Sequence, residues 1–249
     1  MLIVLCAVYV DNWNIQFEDF KLGKGEEALR IAHLSDLHFP HQKVYTNEIL
    51  EGLKARKVDL VLITGDLVSG RSDPETCGIY PFVKKLAAAF PVFYVRGNHE
   101  LKNKRCKNFC ATLKKLGVCV VEKESFIAEC SGVSVTICGV PPEGEIVPPK
   151  EREGRTVLLL HRPEKAQAAV AAFDVPPDLI LAGHAHGGQV RLFGKGLYAP
   201  GQGAFPKYTS GKYAAGEKTE MIVSRGIGAS EFPYRFNNRP HIPIITIGK

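Results

Sequence analysis

An α/β fold whose first half is a parallel sheet, joined to a substantial second sheet, is predicted by three features of the 249-residue sequence. Short apolar runs recur along the chain, and helical patterns separate them up to residue 100. The runs are continuous rather than alternating, as expected for strands buried on both faces. A hydrophobic share of 45% and a charged share of 23% are those of an ordinary soluble globular protein, large enough to bury a substantial core.

Taken in order, LRIAHL (29–34) reads as a buried strand. TNEILEGLKARK (46–57) reads as a helix with Thr46 or Asn47 as its cap. VDLVLIT (58–64) is a second strand, PETCGIYPFVKKLAAAF (74–90) a helix and PVFYV (91–95) a third strand. The basic KNKRCKNFCATLKKLG (102–117) is helical, and VCVVEK (118–123), SFIAEC (125–130) and VSVTICGV (133–140) follow as strands. RTVLLLH (155–161) and PDLILAGH (177–184) are two more, with the helix PEKAQAAVAAF (163–173) between them. The tail from 190 onward is β-leaning and ends in IPIITI (242–247). No repeat, low-complexity tract or linker interrupts this order. One domain over 1–249 is expected, with residues 1–28 as a lead-in.

The balance of 32 basic and 26 acidic residues gives a net charge of +6, a mild preference for an anionic partner. The seven cysteines form no Cys-x-x-Cys pair, which argues for free thiols in a reducing, cytoplasmic setting. The N-terminal MLIVLCAVYV is too short to span a bilayer and has no basic leader. It reads either as a buried strand or as the remaining end of a membrane anchor.

Chemistry concentrates where the apolar runs stop. LRIAHLS ends in Asp36-Leu37-His38, and VDLVLIT in Gly65-Asp66. PVFYVR ends in Gly97-Asn98-His99-Glu100, RTVLLL in His161, and PDLILA in Gly183-His184-Ala185-His186-Gly187-Gly188. In open α/β sheets this edge is where ligands bind. Each motif alone has a bland alternative, such as a helix cap or a turn. Asp, Asn and His together at successive strand ends suit a hard or borderline divalent cation, and no thiolate competes. So many donors suggest two ions close together, and Asp66 is the natural shared carboxylate. Gly187 and Gly188 are expected to keep side chains out of the space a phosphate needs.

These motifs, D-x-H, G-D, G-N-H-E, H and G-H-x-H in that order, resemble those of the calcineurin-like metallophosphoesterases. GHAHGGQVRL, KYAAG, SRGIGAS and PYRFNNRP resemble the YkuE/YaeI-type bacterial branch. The resemblance implies a four-layer α-β-β-α sandwich with two mixed β-sheets. It implies that Asp36, His38 and His186 bind one divalent ion, that Asn98, His161 and His184 bind a second, and that Asp66 bridges them. Mn²⁺ is favoured, with Fe or Zn²⁺ also accepting these ligands. Asn98 and His99 would contact the phosphate. Glu100, where many relatives carry Asp, would support the site without binding metal.

The implied reaction is phosphoester hydrolysis of the phosphodiesterase or pyrophosphatase type. A hydroxide bridging the ions would attack phosphorus in line, with Asp66 and His99 as catalytic residues and imidazolium at His99 protonating the leaving group. Arg191, Arg225, Arg235 and Arg239 follow the last motif, and Arg191 and Arg225 are expected to grip a second phosphate or head group. His33 reads as a strand residue, and His41 and His241 as loop histidines. The partner is a phosphorylated small molecule or lipid-linked substrate, because some relatives hydrolyse UDP-2,3-diacylglucosamine and others carry membrane anchors. Peripheral contact with the inner face of the plasma membrane fits the same resemblance. Nucleic acid is not expected, since no basic stripe interleaved with aromatics is seen. A non-catalytic scaffold on the same fold is the alternative from another class, and retention of every ligand speaks against it.

Overall fold

The N-terminal half of the chain builds most of one sheet and the C-terminal half most of another. The computed structural model describes residues 14–25, 27–40, 45–130, 132–229 and 235–248. The apolar run at 1–10, Cys6 and His41 lie outside the described residues.

The first half contains β1 (Gln16–Leu22), β2 (Glu27–Leu34), α1 (Thr46–Ala55), β3 (Leu60–Ile63), α2 (Ile79–Ala89), β4 (Val92–Tyr94), α3 (Asn98–Lys102), α4 (Phe109–Lys115) and β5 (Val118–Val120). There follow β6 (Phe126–Cys130), β7 (Val133–Val140), β8 (Arg155–Leu160), α5 (Ala166–Ala171) and β9 (Leu179–Ala182). Two small hairpins come next, β10 (Arg191–Leu192) with β11 (Lys195–Gly196) and β12 (Tyr198–Ala199) with β13 (Gly203–Ala204). β14 (Gly211–Ala214), β15 (Glu220–Val223) and β16 (His241–Gly248) complete the order.

Six strands in the order β1-β16-β2-β3-β4-β5 form the first sheet, and six in the order β14-β15-β9-β8-β7-β6 form the second. β2 to β5 are parallel, but β16 runs antiparallel to β2. The parallel sheet expected of the first half is therefore mixed, because the C-terminal strand inserts between β1 and β2. In the second sheet β15, β9, β8 and β7 are parallel, and β14 and β6 are antiparallel edges.

Strand alternation divides the core into three layers. Leu60 and Leu62 of β3 face the second sheet, where they meet Leu159, Leu179 and Leu181 in one apolar layer. Val61 and Ile63 point the other way, onto Ile49 and Leu53 of α1, Phe82 and Leu86 of α2, and Phe109 and Leu113 of α4. Leu158, Leu160 and Ile180 pack on the far side of the second sheet against Ala166 and Ala169 of α5. Two sheets thus lie face to face with helices outside both, the four-layer α-β-β-α sandwich. Truncating a buried leucine such as Leu62 would cost about 2–5 kcal/mol.

Several boundaries differ from expectation for local reasons. Neither Thr46 nor Asn47 caps α1; the cap is Tyr45, which makes no side-chain capping bond. α2 starts at Ile79 rather than Pro74, because Gly78 takes φ 93 and breaks the helical path. The expected helix at 102–117 divides into a 3₁₀ turn (Lys104–Asn108) and α4. β1 falls within the expected lead-in, yet it pairs with β16 from Gln16↔His241 to Leu22↔Ile247. Its charged residues Glu18, Asp19 and Lys21 suit an edge strand and leave it without the continuous apolar run of a buried one.

Candidate metal centre

The five motif segments follow β2, β3, β4, β8 and β9, so their side chains collect where the C-terminal ends of the two sheets meet. Backbone bonds lace the segments together. Asp36 N–H donates to Gly65 O at 3.0 Å, His38 N–H to Asp66 O at 2.9 Å, and Gly183 N–H to His161 O at 3.1 Å. Asp36, His38, Asp66, His184 and His186 all have positive φ, at 53°, 52°, 53°, 67° and 47°. Asp and His enter this region more readily than bulkier residues, at a cost of about 1–3 kcal/mol each. Two glycines make room. A Cβ on Gly97 would strike Asp66 Oδ1, and one on Gly183 would strike Ser35 Oγ and Asp36 Oδ2.

Three donor groups result. Asp36, His38 and His186 offer atoms within 4.8 Å of one another, as do Asp66, His161 and His184, and His38, Asp66 and His99. His38 Nε2 lies 3.2 Å from His186 Nε2, and His186 Nε2 lies 3.5 Å from Asp36 Oδ1. Asp66 Oδ2 stands 3.4 Å from His161 Nε2 and 3.8 Å from His38 Nε2, between the two outer groups. Asn98 Oδ1 is 3.1 Å from His161 Nε2.

These residues fit divalent cations. Burial drives His38, His184 and His186 down to about 3, so all three are neutral lone-pair donors. The His38–His186 contact then brings two buried ring nitrogens together with at most one proton between them, an arrangement that a shared cation resolves. Burial opposes charge on both Asp66 and His161, yet their mutual attraction prevails. Asp66 is held well below the usual carboxylate range and His161 is raised to about 9.

Supporting bonds fix the carboxylates. His33 Nε2 meets Thr64 Oγ1 at 2.8 Å, Thr64 Oγ1 donates to Ser35 Oγ at 2.8 Å, and Ser35 Oγ donates to Asp36 Oδ2 at 2.5 Å. His184 N–H also donates to Asp36 Oδ2, at 3.0 Å. Glu100 accepts from the backbone N–H groups of Asp66, Val68 and Gly97 at 2.9, 3.1 and 2.8 Å, clamping the Asp66 loop to the start of α3. Burial, then the charge of Asp66, raises its carboxyl to about 7. His161 Nδ1 lies 2.6 Å from Thr64 O, which orients a ring of the second sheet from the first. His33 was expected as a strand residue, and its support of Asp36 through Thr64 has no motif signal.

A cavity of about 450 Å³ opens onto this cluster, and Asp66, Asn98, His99, His184 and His186 line it. Arg191 and Arg225, expected to grip substrate, are absent from that lining. Arg191 Nη1 donates to Gly187 O at 2.9 Å. The buried Arg225 donates to Gln16 Oε1 at 2.8 Å and Ser210 Oγ at 3.1 Å and pairs with Glu18 at 3.5 Å. Both guanidiniums are spent on the fold, and the cations lining the cavity are Lys102 and Arg162. Arg235 is likewise buried and bonded to Arg225 O, while Arg239 Nε donates to Asn14 O. His241 opens β16 instead of lying in a loop, and its Nε2 is 3.1 Å from Glu18 Oε2. Gly187 and Gly188 serve packing rather than phosphate access. Added Cβ atoms would strike Asn238 Oδ1 and Gly196 Cα.

The sequence profile of the calcineurin-like phosphoesterases matches residues 29–188. The chain belongs to that family. As a calcineurin-like phosphoesterase it is a phosphoester hydrolase of a class that uses divalent metals. It is 29% identical to the metallophosphoesterase YkuE of Bacillus subtilis over 246 residues, covering 93% of this chain and 80% of YkuE. It is 28% identical to the phosphodiesterase YaeI of Escherichia coli over 229 residues, covering 88% and 82%. Two solved structures share the fold. The sulfate thiohydrolase SoxB of Thermus thermophilus has a TM-score of 0.53 at 12% identity, with 91% of this chain and 57% of SoxB covered. A hypothetical protein of the same species has a TM-score of 0.52 at 15% identity, covering 84% and 88%. Among the described residues no helix is long and apolar enough to cross a membrane.

Proposed function

We propose that this calcineurin-like phosphoesterase is a two-metal phosphoester hydrolase of the phosphodiesterase or pyrophosphatase type, with Mn²⁺ the favoured ion. The observation that carries the reading is Asp66, whose carboxylate stands between two buried donor groups at the floor of an open cavity. Asp36, His38 and His186 would hold one ion, and Asn98, His161 and His184 the other, with Asp66 shared. Bound there, divalent cations would neutralise phosphoryl charge and lower the pKa of a water.

The chain's own residues orient the phosphate and shape its approach. Asn98 and His184 present polar atoms to the cavity beside Asp66. His99 N–H donates to Asp66 Oδ1 at 2.8 Å, so the catalytic histidine and the shared carboxylate are positioned together. Gly70 N–H donates to His99 Nδ1 at 2.9 Å, which leaves Nε2 to carry the ring proton. The expected imidazolium would set two donors against each other at Nδ1. His99 therefore acts as a neutral Nε2–H donor to a phosphoryl or leaving-group oxygen, stabilising the charge that builds there.

The test is hydrolysis of bis(nitrophenyl) phosphate after exhaustive chelation and after Mn²⁺ is restored. Activity should vanish and return, and two ions per chain should be counted at saturation. Full turnover by chelated protein would overturn the proposal.

A further inference from the structure

We infer that Lys102 and Arg162 form a subsite for a second anionic group of the substrate, next to the phosphate that is cleaved. This deepens the two-metal reading and rests on it.

Both cations line the same cavity as Asn98, His99 and His184. They are carried there by elements that already deliver site residues. Lys102 stands one helical turn after Asn98 on α3, and residues four apart share a helix face. Arg162 follows His161 directly at the end of β8. Neither forms an ion pair with any described residue, whereas Arg191, Arg225, Arg235 and Arg239 all give hydrogen bonds to the fold. Arg162 Nε is buried without a hydrogen-bond partner among the described residues. Glu164, two residues further on, approaches Gly201 at the edge of the same cavity and forms no ion pair with Arg162.

Among the described residues Asp66 is the sole acidic residue of the lining, and two cations would neutralise it. The remaining electrostatic character of the wall is then positive. A cavity of about 450 Å³ also exceeds what one phosphoryl group fills, since a water takes up only about 30 Å³. Space and unspent positive charge occur together at one wall. A planar guanidinium and an ammonium suit a phosphate or carboxylate adjoining the scissile phosphate.

The test compares adenosine diphosphate with adenosine monophosphate, which differ by one phosphoryl group, by calorimetric titration at fixed free Mn²⁺. The wild-type chain should bind the diphosphate about tenfold more tightly, the worth of one charge-assisted contact. Lys102→Ala/Arg162→Ala should reduce that preference below about threefold. Arg162→Lys should retain part of it, and the exposed Lys84→Ala should leave it unchanged, excluding a net-charge effect. Melting curves check that the double variant is folded. An unaltered preference in the folded double variant overturns the subsite. If the wild type hydrolyses bis(nitrophenyl) phosphate only with metal in that same case, the two-metal reading survives. If hydrolysis needs no metal, that reading falls, whatever the titration shows.

Discussion

The two halves of the metal centre are built differently. Asp36 and His38 are fully buried, and of their group only His186 reaches the cavity wall. Asp66, Asn98 and His184 of the other half all line the cavity, with His161 buried behind them. Ring support differs too. His161 Nδ1 is fixed by Thr64 O, while the Nδ1 atoms of His38 and His186 are buried without a partner among the described residues. In the deep half the carboxylate is what is held, through Ser35, Thr64 and His33. The difference assigns the halves unequal tasks. Under the proposed function the deep half would anchor a cation away from solvent, and the open half would meet the substrate.

The largest effect should come from the residue common to both halves. Asp66→Asn should lower kcat by about 10³-fold or more and reduce bound metal in both, because several kcal/mol of cation binding and orientation depend on this carboxylate. Retention of two ions with normal turnover would show that the two halves do not share this carboxylate. The halves should then separate by metal count. His38→Ala should leave one ion per chain in the open half, and His184→Ala one in the deep half, both read by elemental analysis. Identical stoichiometry and affinity in the two variants would show that the halves are not distinct.

Glu100→Gln keeps the side chain's size but replaces one carboxylate oxygen with an NH₂ group, which sets donor against donor at one of the clamped backbone N–H groups. A loss of about 10–100-fold is expected in kcat, with KM nearly unchanged, because Glu100 touches neither cation nor substrate. A change confined to KM would contradict that role.

A smaller effect concerns pH. Burial lowers His241 from 6.5 to about 4, with the charge of Arg225 pushing the same way and Glu18 opposing it. The unfolded chain takes up this proton below pH 6.5 and the folded chain does not, so stability falls as pH drops from 6.5 towards 4. Between pH 7 and 5, wild type should lose about 2 kcal/mol more than His241→Gln. Parallel melting profiles would refute this. Smallest is Arg191→Ala, which should leave turnover within about threefold, since its guanidinium holds Gly187 O outside the cavity.

Most of the donor cluster was legible because residue type and place agreed. Asp, Asn and His directly after buried apolar runs are conspicuous, and Gly97 and Gly183 beside them mark tight contacts. His33, Ser35 and Thr64 were not, because Ser, Thr and a single His near a strand carry no signal until three segments are brought together. Glu100 could be recognised as a support, but its three backbone donors lie on segments brought together only by folding.

The arginines show the same limit most clearly. A guanidinium suited to a second phosphate could be expected, yet Arg191 and Arg225 downstream of the last motif were the expected ones, while Arg162 stood directly after His161. Sequence proximity does not say which way a long side chain turns. Local pattern by itself determined most of the long apolar strands, the motif order and the donor types of the cluster, since periodicity and donor type are properties of short segments. Tertiary structure alone decided that β1 and β16 complete the first sheet, that Arg225 is spent on Glu18 and Gln16, and that Lys102 and Arg162 face the cavity. Those outcomes depend on which distant groups meet, and only packing of the two sheets sets that.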